Sequence, residues 1–153
     1  TASKDRVRFF KHNLGKDGVS ELAAALEGVD CVFSVVTPHV QLATEEEFFT
    51  VNVRGVELLI QACLEKAVPR LVFLSSIAVT GHFHWSVNDS ETTPLPPIES
   101  YESPYDISKR KGEEMVLAAN CPGVLSTCAL RAGGILLSPA DFTFRNLFSV
   151  PGY

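Results

Sequence analysis

Two nearly unbroken apolar runs, Cys31-Val32-Phe33-Ser34-Val35-Val36 and Leu71-Val72-Phe73-Leu74-Ser75, constrain the fold of this chain more than any other feature. A strand with one wet face alternates apolar and polar residues, whereas a strand buried on both faces reads as a continuous run. Between the two runs lies a long helical stretch, about Glu45 to Ala67, with Phe49, Val53, Val56, Ile60 and Leu64 at helical spacing and acidic residues in its first turn. Pro69 closes it. A strand, a long helix and a second strand in that order imply parallel pairing, because the crossover is too long for a hairpin.

The rest of the chain extends the alternation. Val7-Arg8-Phe9-Phe10 reads as a short strand, and Ser20 to Glu27 as a helix with Leu22 and Leu26 on one face and Gly28 at its stop. A further helix begins at Pro104 and ends before Asn120-Cys121-Pro122-Gly123, and Leu125 to Arg131 forms a last strand. The expected fold class is α/β: a doubly wound parallel sheet, Rossmann-like and incomplete, with residues 1–153 part of a single domain.

Composition sets outer limits. With 46% hydrophobic residues the 153-residue chain can build a real core, and its net charge of −5 argues against a nucleic-acid surface. No segment approaches the ~18 apolar residues of a membrane-spanning helix. No signal peptide opens the sequence, so an intracellular place is expected, cytoplasmic or peripheral to the endoplasmic reticulum membrane. Cys31, Cys63, Cys121 and Cys128 lack Cys-x-x-Cys spacing, and three of them lie in apolar runs, so buried free thiols are expected rather than disulfides or a metal site.

Chemistry concentrates in Ser103-Pro104-Tyr105-Asp106-Ile107-Ser108-Lys109. On a helix Tyr105 and Lys109 share one face at i and i+4, so a phenol and an ammonium can act as a pair. A nearby cation favours the phenolate and would lower the pKa of Tyr105 toward the range of a general acid/base for an alcohol or ketone. Taken alone, the same spacing describes many solvated helical pairs. Its company matters more. In a parallel sheet ligands gather at the carboxyl ends of the strands, and the turns there are Asn13-Leu14-Gly15, Thr37-Pro38-His39, Ser75-Ser76-Ile77 and Arg131-Ala132-Gly133-Gly134.

These residues carry a resemblance. Val51-Asn52-Val53-Arg54-Gly55, Leu58 to Cys63, Ser75-Ser76-Ile77-Ala78-Val79, Tyr105-Asp106-Ile107-Ser108-Lys109, Val116 to Asn120 and Thr127 to Arg131 follow in the order found in extended short-chain dehydrogenases/reductases. The chain is most similar to the 3β-hydroxysteroid dehydrogenase branch, from about Phe9 to Pro139. The resemblance implies a catalytic set of Ser76, Tyr105 and Lys109, with Tyr105 exchanging a proton with a secondary hydroxyl or ketone and Ser76 hydrogen-bonding that oxygen. It implies NAD or NADP as cofactor, bordered by Asn13, Thr37, Pro38, Asn52, Ser75, Tyr105, Lys109 and Arg131. Asn13 stands where many relatives carry an Asp against the adenine. The implied partner is a small steroid or sterol, and a homodimer through helices 45–67 and 105–120 is expected.

Two departures accompany the resemblance. No glycine-rich phosphate loop occurs, since Gly15 and Gly18 follow the wrong element at the wrong spacing, and the first βαβ unit is expected upstream of Thr1. Ala132 replaces a Pro of the family, and most of the substrate-binding C-terminal portion is expected to be absent too. The long stretch from Gly81 to Ser103, with His82, Phe83, His84 and Trp85, is expected to overhang the cleft as a loop suited to an apolar substrate, without a metal. The expected activity is oxidation of a 3β-hydroxyl. The alternatives are a nucleotide-sugar epimerase or dehydratase of the same superfamily and a non-catalytic truncated product.

Overall fold

The computed structural model describes residues 7–81, 89–133 and 135. Three parallel strands, β1 (Val32–Ser34), β2 (Arg70–Ser76) and β3 (Ser126–Ala132), form a sheet in the order β1-β2-β3. The parallel α/β architecture is the one expected. Leu71 lies opposite Val32 and Thr127, Phe73 opposite Ser34 and Ala129, and Ser75 opposite Arg131, so one sheet face is written by these residues.

Helices α1 (Val19–Ala25), α3 (Gly55–Glu65) and α4 (Pro104–Ala118) contribute to the core on that face. Leu71 and Phe73 pack there with Ala23, Leu26, Val56, Leu59, Ala62, Cys63, Val116 and Leu125. Each such large side chain contributes roughly 1.5–3 kcal/mol on burial, which makes this cluster the main stabilising term. The opposite face presents Phe33, Cys128 and Leu130 as exposed residues. Burial of β1 on both faces is therefore not observed: no described element covers Phe33, Val35 or Val36.

The long helix predicted from Glu45 to Ala67 exists with an interruption. Helix α2 (Glu45–Phe49) runs through a π-helical segment, Thr50–Arg54, directly into α3. A capping box starts it: the Thr44 hydroxyl accepts from the Glu47 amide at 3.2 Å, and the Glu47 carboxylate accepts from the Thr44 amide at 2.8 Å. Its buried stripe is Phe48, Asn52, Val56, Leu59 and Cys63 rather than the predicted Phe49, Val53, Val56, Ile60 and Leu64. The core positions carry a polar Asn and a small Cys, so apolar identity misassigned the face. Phe49 instead lies beneath the Lys111 ammonium, 5.1 Å from its ring centroid, and Leu64 is exposed.

Two further expectations are corrected. Val7–Phe10 forms no strand, because a strand requires a ladder partner and none occurs among the described residues; Phe9 is almost fully exposed. All four cysteines are free thiols, yet only Cys63 is buried, Cys31 is half-buried and Cys121 and Cys128 are exposed. Cys128 points to the uncovered face of β3, where alternation along the strand sends it. Burial pushes the Cys63 thiol up to about 11.

Candidate active site

Strand β2 and helix α4 build the site. Pro104 occupies the first turn of α4, and its fixed φ suits that position, so the helix starts immediately before Tyr105. At the end of β2, Ser76 caps a short 3₁₀ turn, Ile77–Thr80, by accepting from the Ala78 amide at 3.1 Å. That acceptance fixes the Ser76 rotamer and leaves its hydroxyl proton to donate. The Ser76 side chain acts on Tyr105 in the direction that favours the phenolate. The ring of Tyr105 is supported by Phe48, edge to face, with centroids 5.6 Å apart.

Lys109 is 2% exposed and turned inward. Its ammonium donates to the Leu74 carbonyl at 2.9 Å and lies over the Phe73 ring, 5.1 Å from the centroid. Burial lowers its pKa to about 8. The predicted depression of the Tyr105 pKa does not appear: burial of the phenol raises it above the ordinary tyrosine value, outweighing the Ser76 hydrogen bond, and the Asp106 charge raises it further. The physical reason is that desolvation penalises the phenolate, while the ammonium meant to offset it is committed to the β2 carbonyl.

Helix α4 approaches the π segment closely at Gly112, where an added Cβ would lie 2.5 Å from the Asn52 carbonyl oxygen and 3.2 Å from the Phe73 ring. That approach allows Asn52, 1% exposed, to donate its carboxamide N–H to the Ser108 hydroxyl at 3.0 Å. Ser108 donates in turn to the Tyr105 carbonyl at 2.8 Å. Asn52 Oδ1 and Ser75 Oγ are buried without a hydrogen-bond partner among the described residues. At each of these atoms a polar ligand group or water is favoured, since such atoms cost roughly 1–3 kcal/mol each when left unpaired.

The structure brings Asn13, Thr37 and Pro38 together on a cavity of about 390 Å³ that His12, Leu14, Lys16 and Thr50 also line. The Asn13 turn is closed by its carbonyl, which accepts from the Lys16 and Asp17 amides, and by the Asp17 carboxylate, which accepts from the Asn13 amide at 2.6 Å. Gly15 has φ +84° and sits against the Thr50 carbonyl, so only glycine fits between this turn and the π segment.

Arg131 is engaged elsewhere. Its guanidinium forks onto the Glu113 carboxylate, with Nη2 2.6 Å and Nε 3.1 Å from Oε1, and Glu113 is 2% exposed. It ties β3 to α4 and does not line the Asn13 cavity. The predicted loop residues His82 to Trp85 and the terminal Gly134 lie outside the described residues. Sequence reasoning missed the π segment, Ser108, Glu113 and Tyr101. A serine one position before Lys109 and a glutamate one turn after it were the available signals.

Comparison with known proteins gives the family. The sequence profile of the 3-beta hydroxysteroid dehydrogenase/isomerase family matches residues 15–148. The chain is 31% identical over 123 residues to 3beta-hydroxysteroid-dehydrogenase/decarboxylase isoform 1 of Arabidopsis thaliana, covering 80% of this chain and 27% of that protein. It is 34% identical over 131 residues to short-chain dehydrogenase/reductase family 42E member 1 of Bos taurus, covering 76% of this chain and 33% of that one. It thus spans about a third or less of the length of these relatives. Among solved structures, a double mutant of dTDP-glucose 4,6-dehydratase from Streptomyces venezuelae with NAD bound has a TM-score of 0.67 at 27% identity, over 84% of this chain and 39% of that one. On the extent of the profile match, this chain belongs to the 3-beta hydroxysteroid dehydrogenase/isomerase family.

Proposed function

We propose that the protein is an NAD(P)-dependent oxidoreductase that oxidises the 3β-hydroxyl of a steroid or sterol to the ketone. The observation that carries this reading is the pairing of β2 with α4: Ser76 caps the turn at the carboxyl end of β2, and the helix that presents Tyr105 is anchored to the same strand by the buried Lys109 ammonium on the Leu74 carbonyl. Tyr105 takes the hydroxyl proton as the C–H bond is oxidised, or returns it to a ketone in the reverse direction. Ser76 donates to the same oxygen and stabilises the charge that develops on it. Lys109 holds the local backbone through its bond to the Leu74 carbonyl.

The residues present fit a nicotinamide dinucleotide. Asn13, Thr37 and Pro38 would border its adenine side, and the orphaned Ser75 hydroxyl and Asn52 carboxamide oxygen offer acceptors near the reacting end. Bound there, the nicotinamide supplies the hydride acceptor. Arg131, paired with Glu113, would shape the site through α4.

A second reading is favoured by the likeness to the dTDP-glucose 4,6-dehydratase: a nucleotide-sugar epimerase or dehydratase using the same three side chains. Assay of the full-length protein with NAD separates the two. The steroid reading predicts turnover of a 3β-hydroxysteroid and none of a UDP-sugar; the opposite result would replace it. We further propose a homodimer through helices 45–67 and 105–120, for which gel filtration showing only monomer would be decisive against. No helix among the described residues is long and apolar enough to cross a membrane. An apolar substrate is consistent with a place at the periphery of the endoplasmic reticulum, which co-fractionation with that membrane tests.

A further inference from the structure

The two chain segments that carry Ser76 and Tyr105 are joined by a buried polar bridge with no part in the proton chemistry. Tyr101, 6% exposed, lies four residues before Tyr105. Its phenol donates to the Val79 carbonyl at 2.6 Å, and Val79 belongs to the 3₁₀ turn that Ser76 caps. From the other side, Arg110 Nη1 donates to the Tyr101 oxygen at 3.1 Å, while Arg110 Nε is held by the Glu114 carboxylate at 2.6 Å. Arg110 is the residue after Lys109 on α4. The bridge therefore runs from the Ser76 turn, through Tyr101, into the helix that presents Tyr105 and Lys109.

The chemistry of the bridge favours a short, directional tie. A donor from a guanidinium polarises the phenol O–H and strengthens its own donation to the carbonyl. Val79 is fully buried, so its carbonyl has no exposed route to water once the phenol is removed. The turn it belongs to ends at Gly81, whose φ of +79° lets the chain turn away directly after it. With no such tie, the separation of Ser76 from Tyr105 would depend on the packing of the turn and on the Lys109 bond to the Leu74 carbonyl, which holds β2 but not the turn.

We propose that Tyr101, held by Arg110, is a positioning residue that sets the distance between the Ser76 hydroxyl and the Tyr105 phenol. This rests on the reading of Ser76 and Tyr105 given above, and it adds a residue that touches neither substrate nor cofactor. The tie acts on geometry in the reacting complex, so its loss lowers kcat and leaves binding of the dinucleotide in place.

The test uses the full-length enzyme with NAD and the 3β-hydroxysteroid dehydroepiandrosterone, comparing wild type, Tyr101→Phe and Arg110→Ala. Two quantities are read: kcat and KM for each substrate, and the ionisation of Tyr105, taken as the ultraviolet difference between each protein and the same protein carrying Tyr105→Phe. Tyr101→Phe is expected to lower kcat at least about tenfold with KM for NAD within about twofold, and to move the Tyr105 titration to higher pH because the Ser76 hydrogen bond is loosened. Arg110→Ala is expected to move both in the same direction by less, and it decides the matter if Tyr101→Phe does not fold. A kcat within about twofold of wild type, or an unchanged Tyr105 titration in a folded variant, overturns the proposal. An inactive wild type would remove the steroid reading, and the titration would still decide whether Tyr101 sets the Ser76 contact.

Discussion

Gly112→Ala should destabilise the protein, although the substitution usually does the reverse on a helix. In an exposed helix interior, replacing Gly by Ala gains about 1 kcal/mol through reduced backbone entropy and better helix propensity. At position 112 the new Cβ would lie 2.5 Å from the Asn52 carbonyl oxygen and 3.2 Å from Cζ of Phe73. Relieving the first contact requires a displacement of roughly 0.7 Å, and neither obstacle is the free end of a side chain. One is backbone in the π segment, and the other is a ring packed in the core. Overpacking of this kind costs about 1–3 kcal/mol, so the net change is a loss of about 1 kcal/mol, up to about 2. Separating α4 from the π segment also stretches the link from Asn52 to Ser108, and through Ser108 to the Tyr105 carbonyl. Urea unfolding of wild type and variant would read the change as a lower midpoint at constant slope. A higher midpoint would refute the reasoning, because it would show that the two helices yield at no cost and that Gly112 is not what brings Asn52 to the site.

Arg131→Ala leaves the Glu113 carboxylate buried without its guanidinium and should cost about 3–5 kcal/mol, whereas replacing both partners by apolar residues of similar volume should cost far less; chemical denaturation of the two variants checks the order. The low pKa of Lys109, about 8, means that the folded state releases this proton before the unfolded state does, whose value is the ordinary 10.5. Between those two values the unfolded chain binds more protons, so this group's contribution to stability rises with pH across that window and is least favourable below it. Lys109→Met should remove that rise, as measured by unfolding midpoints near pH 7.5 and pH 10; an identical pH dependence in the two proteins would show that Lys109 is not desolvated as described.

How much of this was legible in the sequence follows from what kind of interaction each feature depends on. The parallel sheet and the limits of α4 were readable because they rest on local signals: continuous apolar runs in β2, Pro104 at the helix start, and Pro122-Gly123 after its end. The placement of Ser76 at the end of β2 and of Tyr105 and Lys109 on one helix was readable from spacing and family resemblance together. The π segment was not, because its widened turn is stabilised by the approach of Gly15 and Gly112 from distant parts of the chain. The buried stripe was misassigned because a polar Asn52 and a small Cys63 occupy core positions that apolar identity does not mark. The direction of the Tyr105 shift was misread because proximity on a helix face said nothing about desolvation, or about the Leu74 carbonyl that engages the ammonium. Val7–Phe10 had strand composition but no neighbour to pair with among the described residues, which composition alone cannot reveal.

The most direct test of the central claim is the rate of NAD reduction by full-length Tyr105→Phe with a 3β-hydroxysteroid, measured beside the dissociation constant for the dinucleotide. If Tyr105 exchanges the proton, turnover falls at least about a hundredfold while cofactor affinity stays nearly unchanged. A near-normal rate would mean that the phenol held by Ser76 is a structural group, and that the chemistry lies elsewhere.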